Sequence, residues 1–133
     1  AKPLPVLNLP TDFERPHSLV YDGSYIKFTV SKEKTEQLRL LARNRSTTLY
    51  MTVLAVYFLF LHKISQEEDI IVGFPVSGRE RQEWENVIGL FMNMVCIRVD
   101  FRGLSRFDEV LETIKHKCVK AYANGRYPFN TLV

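Results

Sequence analysis

The sequence predicts an α/β fold in the broad sense, an α+β two-layer sandwich in which helices pack on a largely buried sheet. Two helical stripes and two strand-like runs carry that prediction. Leu49, Val53, Leu54, Tyr57, Phe58 and Leu61 recur at the spacing of one helical face, and so do Phe107, Val110, Leu111, Ile114, Cys118 and Ala121. Between them, Asp69–Val76 and Phe91–Val99 are rich in β-branched and apolar residues and read as strands. With 133 residues, 46% of them hydrophobic, the chain can build one compact core but not two.

Each element has its own local signal. Pro3, Pro5, Pro10 and Pro16 bias residues 1–23 toward an extended connector, because proline fixes φ and disfavours helix before it. Residues 24–133 then form the domain proper. Tyr25, Ile26, Phe28 and Val30 predict a strand over Ser24–Val30. Ser31 is placed to cap a helix running to Asn44, with Leu38, Leu41 and Ala42 on its apolar side. Ser46, Thr47 or Thr48 caps the next helix, whose apolar residues from Met51 to Phe60 predict burial on more than one side. The unbroken Ile70-Ile71-Val72 run predicts a strand covered on both faces. Arg79–Asn86 is polar and aperiodic, a long excursion or crossover in place of a tight hairpin. Ser105 is the expected cap of the last long helix, and Asn124-Gly125 its stop; a further helix starts at Asn130 and is cut short at Val133.

Composition narrows the function classes. The net charge of +3 comes from scattered Lys and Arg, so nothing resembles a nucleic-acid stripe. Lys115, Lys117 and Lys120 read as a solvated helix face. Cys96 and Cys118 lack metal-ligand spacing and read as reduced core thiols. The most apolar run, Val53–Leu61, is too short to span a bilayer, and no signal peptide precedes it, so the expected compartment is the cytoplasm.

Chemistry-bearing residues are few. His17, His62 and His116 are scattered, without the spacing of a metal site or a catalytic triad. Ser77 sits beside Gly78 at a sharp turn but has no base in reach by sequence. Asn93 shares its strand parity with apolar residues, so its amide either makes a core hydrogen bond to backbone or lines a substrate path. Arg79 either clamps a carboxylate in a structural salt bridge or meets an anionic ligand.

Several motifs, taken in order, resemble a known family. Leu9-Pro10-Thr11-Asp12 with Arg15-Pro16, Thr48-Leu49-Tyr50, Glu68 through Arg79, Ile88-Gly89-Leu90-Phe91-Met92-Asn93 and Tyr127 through Val133 are similar to segments of nonribosomal peptide synthetase condensation domains. The resemblance covers nearly the whole chain and implies the C-terminal half of a chloramphenicol-acetyltransferase-like domain. In that family two such subdomains flank a channel, carrier domains present phosphopantetheine-bound thioesters from opposite ends, and an amine attacks a thioester to form a peptide bond.

The resemblance therefore implies no directly bound cofactor. Its implied partners are an N-terminal condensation subdomain, peptidyl or acyl carrier domains and an adjacent adenylation domain, with neither nucleic acid nor membrane. It places Asn93, Ser77 and Gly78 along the channel, and Arg79 and Glu80 in its floor region or a structural salt bridge. The family's His-His-x-x-x-Asp-Gly motif belongs to the other subdomain, so no catalytic residue is expected here. His17-Ser18-Leu19-Val20-Tyr21-Asp22-Gly23 imitates it with serine at the second histidine, but stands at a linker position. Serine cannot replace imidazole as a base. Met92 and Met94 around Asn93, and Asn124-Gly125-Arg126-Tyr127, depart from the usual pattern. Epimerising, heterocyclising or ester-forming relatives, and a non-catalytic carrier-docking module, stay open as alternatives.

Overall fold

Two antiparallel strands carry a layer of helices in the computed structural model, which describes residues 4–14, 16–18, 20–79 and 81–132. In chain order the elements are α1 (Lys32–Asn44), α2 (Leu49–Ser65), β1 (Asp69–Val76), β2 (Asn93–Asp100), α3 (Phe107–Ala123) and α4 (Phe129–Leu132). A single 3-10 turn, Gln82–Trp84, lies in the excursion between the strands.

Local chemistry sets most of the boundaries. Ser31 caps α1 by accepting from the Lys34 amide at 3.3 Å, and Thr48 caps α2 by accepting from the Met51 amide at 3.1 Å. The start of α3 differs from expectation. Arg106 holds the cap position, and the Glu109 carboxylate reaches back to the amides of Ser105 at 2.9 Å and Arg106 at 3.0 Å. Those two amides hold the Glu109 carboxyl below the ordinary carboxylate range.

β1 and β2 pair antiparallel from Asp69 opposite Asp100 to Val76 opposite Asn93. The excursion joins direct neighbours and makes no crossover. The core lies between this ribbon and α2 and α3, where Phe58, Ile70, Val99 and Ile114 are fully buried.

Four expectations are corrected. Ser24–Val30 forms no strand: Ile26 is 90% and Phe28 84% exposed, and no described neighbour pairs with this backbone. The sheet is not covered on both faces. Val95, Ile97 and Val99 point inward, whereas Met94, Cys96 and Arg98 point outward, so Cys96 is an exposed thiol and only Cys118 is a core one. Helix α2 is buried on one side only, through Met51, Leu54, Ala55, Phe58 and Leu61, and leaves Val53, Val56, Tyr57 and Phe60 about half exposed. Ser105 is not the α3 cap. Val133 and Glu80 lie outside the described residues. No single helix among the described residues is long and apolar enough to cross a membrane.

Candidate functional site

The residues singled out in the sequence gather at one end of the strand pair, where β1 leaves the sheet and β2 enters it. Asn93 begins β2 and uses its whole amide on backbone. Its Nδ2 donates to the carbonyls of Gly125 and Tyr127, both at 2.7 Å, and its Oδ1 accepts from the Phe129 amide at 3.3 Å. An amide has two donor hydrogens and one acceptor oxygen, so this side chain straps the turn between α3 and α4 to the sheet. The hydrogen bonds to backbone, one of the two roles open for Asn93, are made.

Gly78 explains how the excursion folds back. Its φ of +67° lies in the left-handed region, and a Cβ there would stand 1.9 Å from the Phe91 carbonyl oxygen. Only glycine fits both conditions. Ser77 sits beside it, exposed, with its Oγ accepting from the Arg79 amide at 3.4 Å. That is a turn-stabilising serine with no described base beside it.

Arg79 holds the excursion from inside. It donates to the carbonyls of Trp84 and of Gly89, the latter at 3.1 Å, and its guanidinium lies 4.3 Å over the Phe91 ring. Trp84 stacks on Phe91 with centroids 5.8 Å apart, and Arg81 covers the other ring of that pair at 5.3 Å. Among the described residues Arg79 makes no carboxylate salt bridge. Carbonyls and a ring face take the place of the expected acid. Glu80, expected in the same floor region, lies outside the described residues.

Two clefts flank Gly78. One, of about 390 Å³, is lined by Tyr50, Phe74, Ser77, Gly78, Tyr122 and Gly125 among others. The second, of about 380 Å³, joins Gly78 to Trp84, Phe91 and Asn93. Ser77 and Gly78 therefore share a cleft, as do Gly78 and Asn93. Sequence reasoning missed Tyr50 and Tyr122. Neither lies on the apolar stripes read from spacing, and only the third dimension brings them to Phe74. Burial pushes the Tyr50 phenol up, and it raises Tyr122 to about 12; the Cys118 thiol is raised for the same reason.

The histidines lie on three separate segments. His62 stacks on Phe101 at 4.4 Å and its Nδ1 is 2.7 Å from the Glu67 carbonyl oxygen, while His116 faces Glu112 at 3.0 Å on exposed α3 surface. His17 is exposed in the N-terminal segment. No cluster of three metal-ligating residues occurs among the described residues.

A strand pair with one helical layer and an open outer face is the mixed α/β, open-sheet arrangement of chloramphenicol-acetyltransferase-like condensation structures. Superposition bears this out. The chain overlays a holo four-domain nonribosomal peptide synthetase bound to AMP and glycine with a TM-score of 0.89 at 27% identity, over 93% of this chain and 9% of that one. It overlays the first condensation domain of the calcium-dependent antibiotic synthetase, in complex with a substrate analogue, with a TM-score of 0.70 at 27% identity, over 75% of this chain and 22% of that one.

The sequence profile of the condensation domain matches residues 1–133, and the chain belongs to that family. Among its relatives, bacitracin synthase 2 of Bacillus licheniformis is 42% identical over 98% of this chain and 5% of its own length. Gramicidin S synthase 2 of Brevibacillus brevis is also 42% identical, over 98% of this chain and 3% of its own length. The chain thus spans a small part of the large multidomain synthetases that it resembles.

Proposed function

We propose that this chain is one wall of a condensation domain that forms peptide bonds between carrier-bound aminoacyl or peptidyl thioesters. In this reading it contributes channel surface and carrier-docking surface, while the acid–base histidines come from a preceding subdomain. The observation that carries it is the outward apolar side of α2. Val53, Val56, Tyr57 and Phe60 are each close to half exposed on a helix whose opposite side is core. A contiguous apolar face of this kind is built to meet another protein surface. Family membership supports the remainder of a larger condensation domain as that surface.

The excursion from Ser77 to Met92 fits the same reading. Gly78, Arg79 and the Trp84–Phe91 stack hold it as a shaped loop and not a floppy one, and a shaped loop can form a channel floor. The proposed partners are the N-terminal condensation subdomain, carrier domains that bring phosphopantetheine thioesters, and a neighbouring adenylation domain, all in the cytoplasm.

The test is a reconstitution. The chain alone, given two loaded carrier domains, is expected to make no dipeptide, and a complete condensation domain that includes it is expected to make one. Dipeptide from the chain alone at a comparable rate overturns the division of labour.

A further inference from the structure

The 390 Å³ cleft beside Gly78 has features of a binding site in its own right. Its aromatic residues come from three elements: Tyr50 from the first turn of α2, Phe74 from β1 and Tyr122 from the end of α3. Phe74 is the shared ring. It is tilted against Tyr50 at 5.7 Å and edge-on to Tyr122 at 6.2 Å, and the two tyrosines, 46% and 40% exposed, present surface to a further apolar group.

The rest of the lining is small. Gly125 is buried, and a Cβ there would stand 3.2 Å from the Tyr122 carbonyl oxygen and 3.7 Å from a Val76 methyl, so a side chain at this position would crowd the cleft. Asn93 fixes Gly125 in place through its carbonyl.

The polar groups are all neutral. Among the described residues no charged one lines the cleft, and burial shifts both phenols up, away from ionisation at neutral pH. Ser77 accepts from the Arg79 amide and keeps its own O–H to donate. Hydroxyls at an aromatic rim suit a ligand with an apolar body and an amide end. A charged ligand would lose its hydration here without gaining a counter-charge. The volume lies in the lower part of the range for small-molecule pockets, about 300–1,000 Å³.

We propose that this cleft binds the side chain of an uncharged aromatic aminoacyl group, with the rim hydroxyls meeting its amide. The inference rests on the condensation-domain reading, which is what brings an aminoacyl group to this surface.

The experiment is a titration of the isotope-labelled chain with N-acetyl-phenylalaninamide, N-acetyl-glycinamide and N-acetyl-aspartate amide, followed by amide NMR shifts. Saturable shifts at Gly78, Gly125 and Tyr122 are expected. The aromatic amide should bind about tenfold more tightly than the glycine one, and the acidic one more weakly than the aromatic. Tyr122→Ala should weaken the aromatic amide by about tenfold, and Tyr122→Phe, which keeps the ring, by much less. Unchanged shifts of Ile70 and Ile114 would certify that the variants fold.

Absence of saturation, equal affinity for the glycine amide, or shifts centred on Val53, Val56 and Phe60 of α2 would each overturn the pocket. The readout makes no peptide bond, so these outcomes leave the reconstitution as the separate judge of the condensation reading.

Discussion

Ser24–Val30 and Asp69–Val76 are of similar length and are both rich in residues that favour strands, yet they end in opposite states. Asp69–Val76 pairs with β2 along its whole length, buries Ile70 completely and Phe74 almost so, and is tied at its start by the Asp69–Arg98 ion pair at 2.5 Å. Ser24–Val30 has no described partner strand and leaves Tyr25, Ile26 and Phe28 more than three-quarters exposed. The difference teaches that β-propensity measures fitness for a pleated, half-buried surface. Without a neighbour to receive its N–H and C=O groups, the same composition remains irregular chain in water.

The largest expected break in this comparison comes from the core. Phe58→Ala, at a fully buried position, should cost about 3–5 kcal/mol in urea denaturation. Phe28→Ala, 84% exposed, should stay within about 0.5 kcal/mol. Equal losses would mean that Phe28 has a core role.

Next comes the strap. Asn93→Ala orphans the Gly125 and Tyr127 carbonyls and the Phe129 amide, and should cost about 1–3 kcal/mol. Hydrogen exchange should accelerate first over residues 125–129; uniform acceleration across the chain would argue against a local strap. Thr48→Ala removes the cap of α2 and should cost about 1 kcal/mol, read from the urea midpoint, with Thr48→Ser close to neutral.

The smallest effect sharpens the ion pairs at the strand ends. The hydrogen bond from Arg102 brings the Asp100 carboxyl down to about 2, and that from Arg98 lowers Asp69. Folded-state values depressed in this way stabilise above the unfolded value of about 4 and lose that contribution as pH falls toward about 2. These groups face solvent, so the contribution is slight. Carboxyl-carbon NMR should place the Asp100 midpoint at about 2; a midpoint at the ordinary carboxylate value of about 4 would remove the pairing.

The long helices, the α3 stripe, the caps at Ser31 and Thr48, the stop at Asn124 and the two paired strands were legible in sequence, because each depends on spacing or on a neighbour a few residues away. The ordered motifs from Leu9 to Val133 were likewise enough to point to the condensation family. Tertiary structure alone decided which faces found partners. Spacing puts Val53 and Tyr57 on one α2 stripe with Phe58, yet only Phe58 is core and the other two face out.

The site divides in the same way. That Gly78 makes a turn could be read locally, but not that a Cβ there would meet the Phe91 carbonyl. That Asn93 needs partners followed from its apolar surroundings. That those partners are Gly125, Tyr127 and Phe129, more than thirty residues away, did not. Local propensity is a property of the chain, whereas burial is a property of what the chain meets.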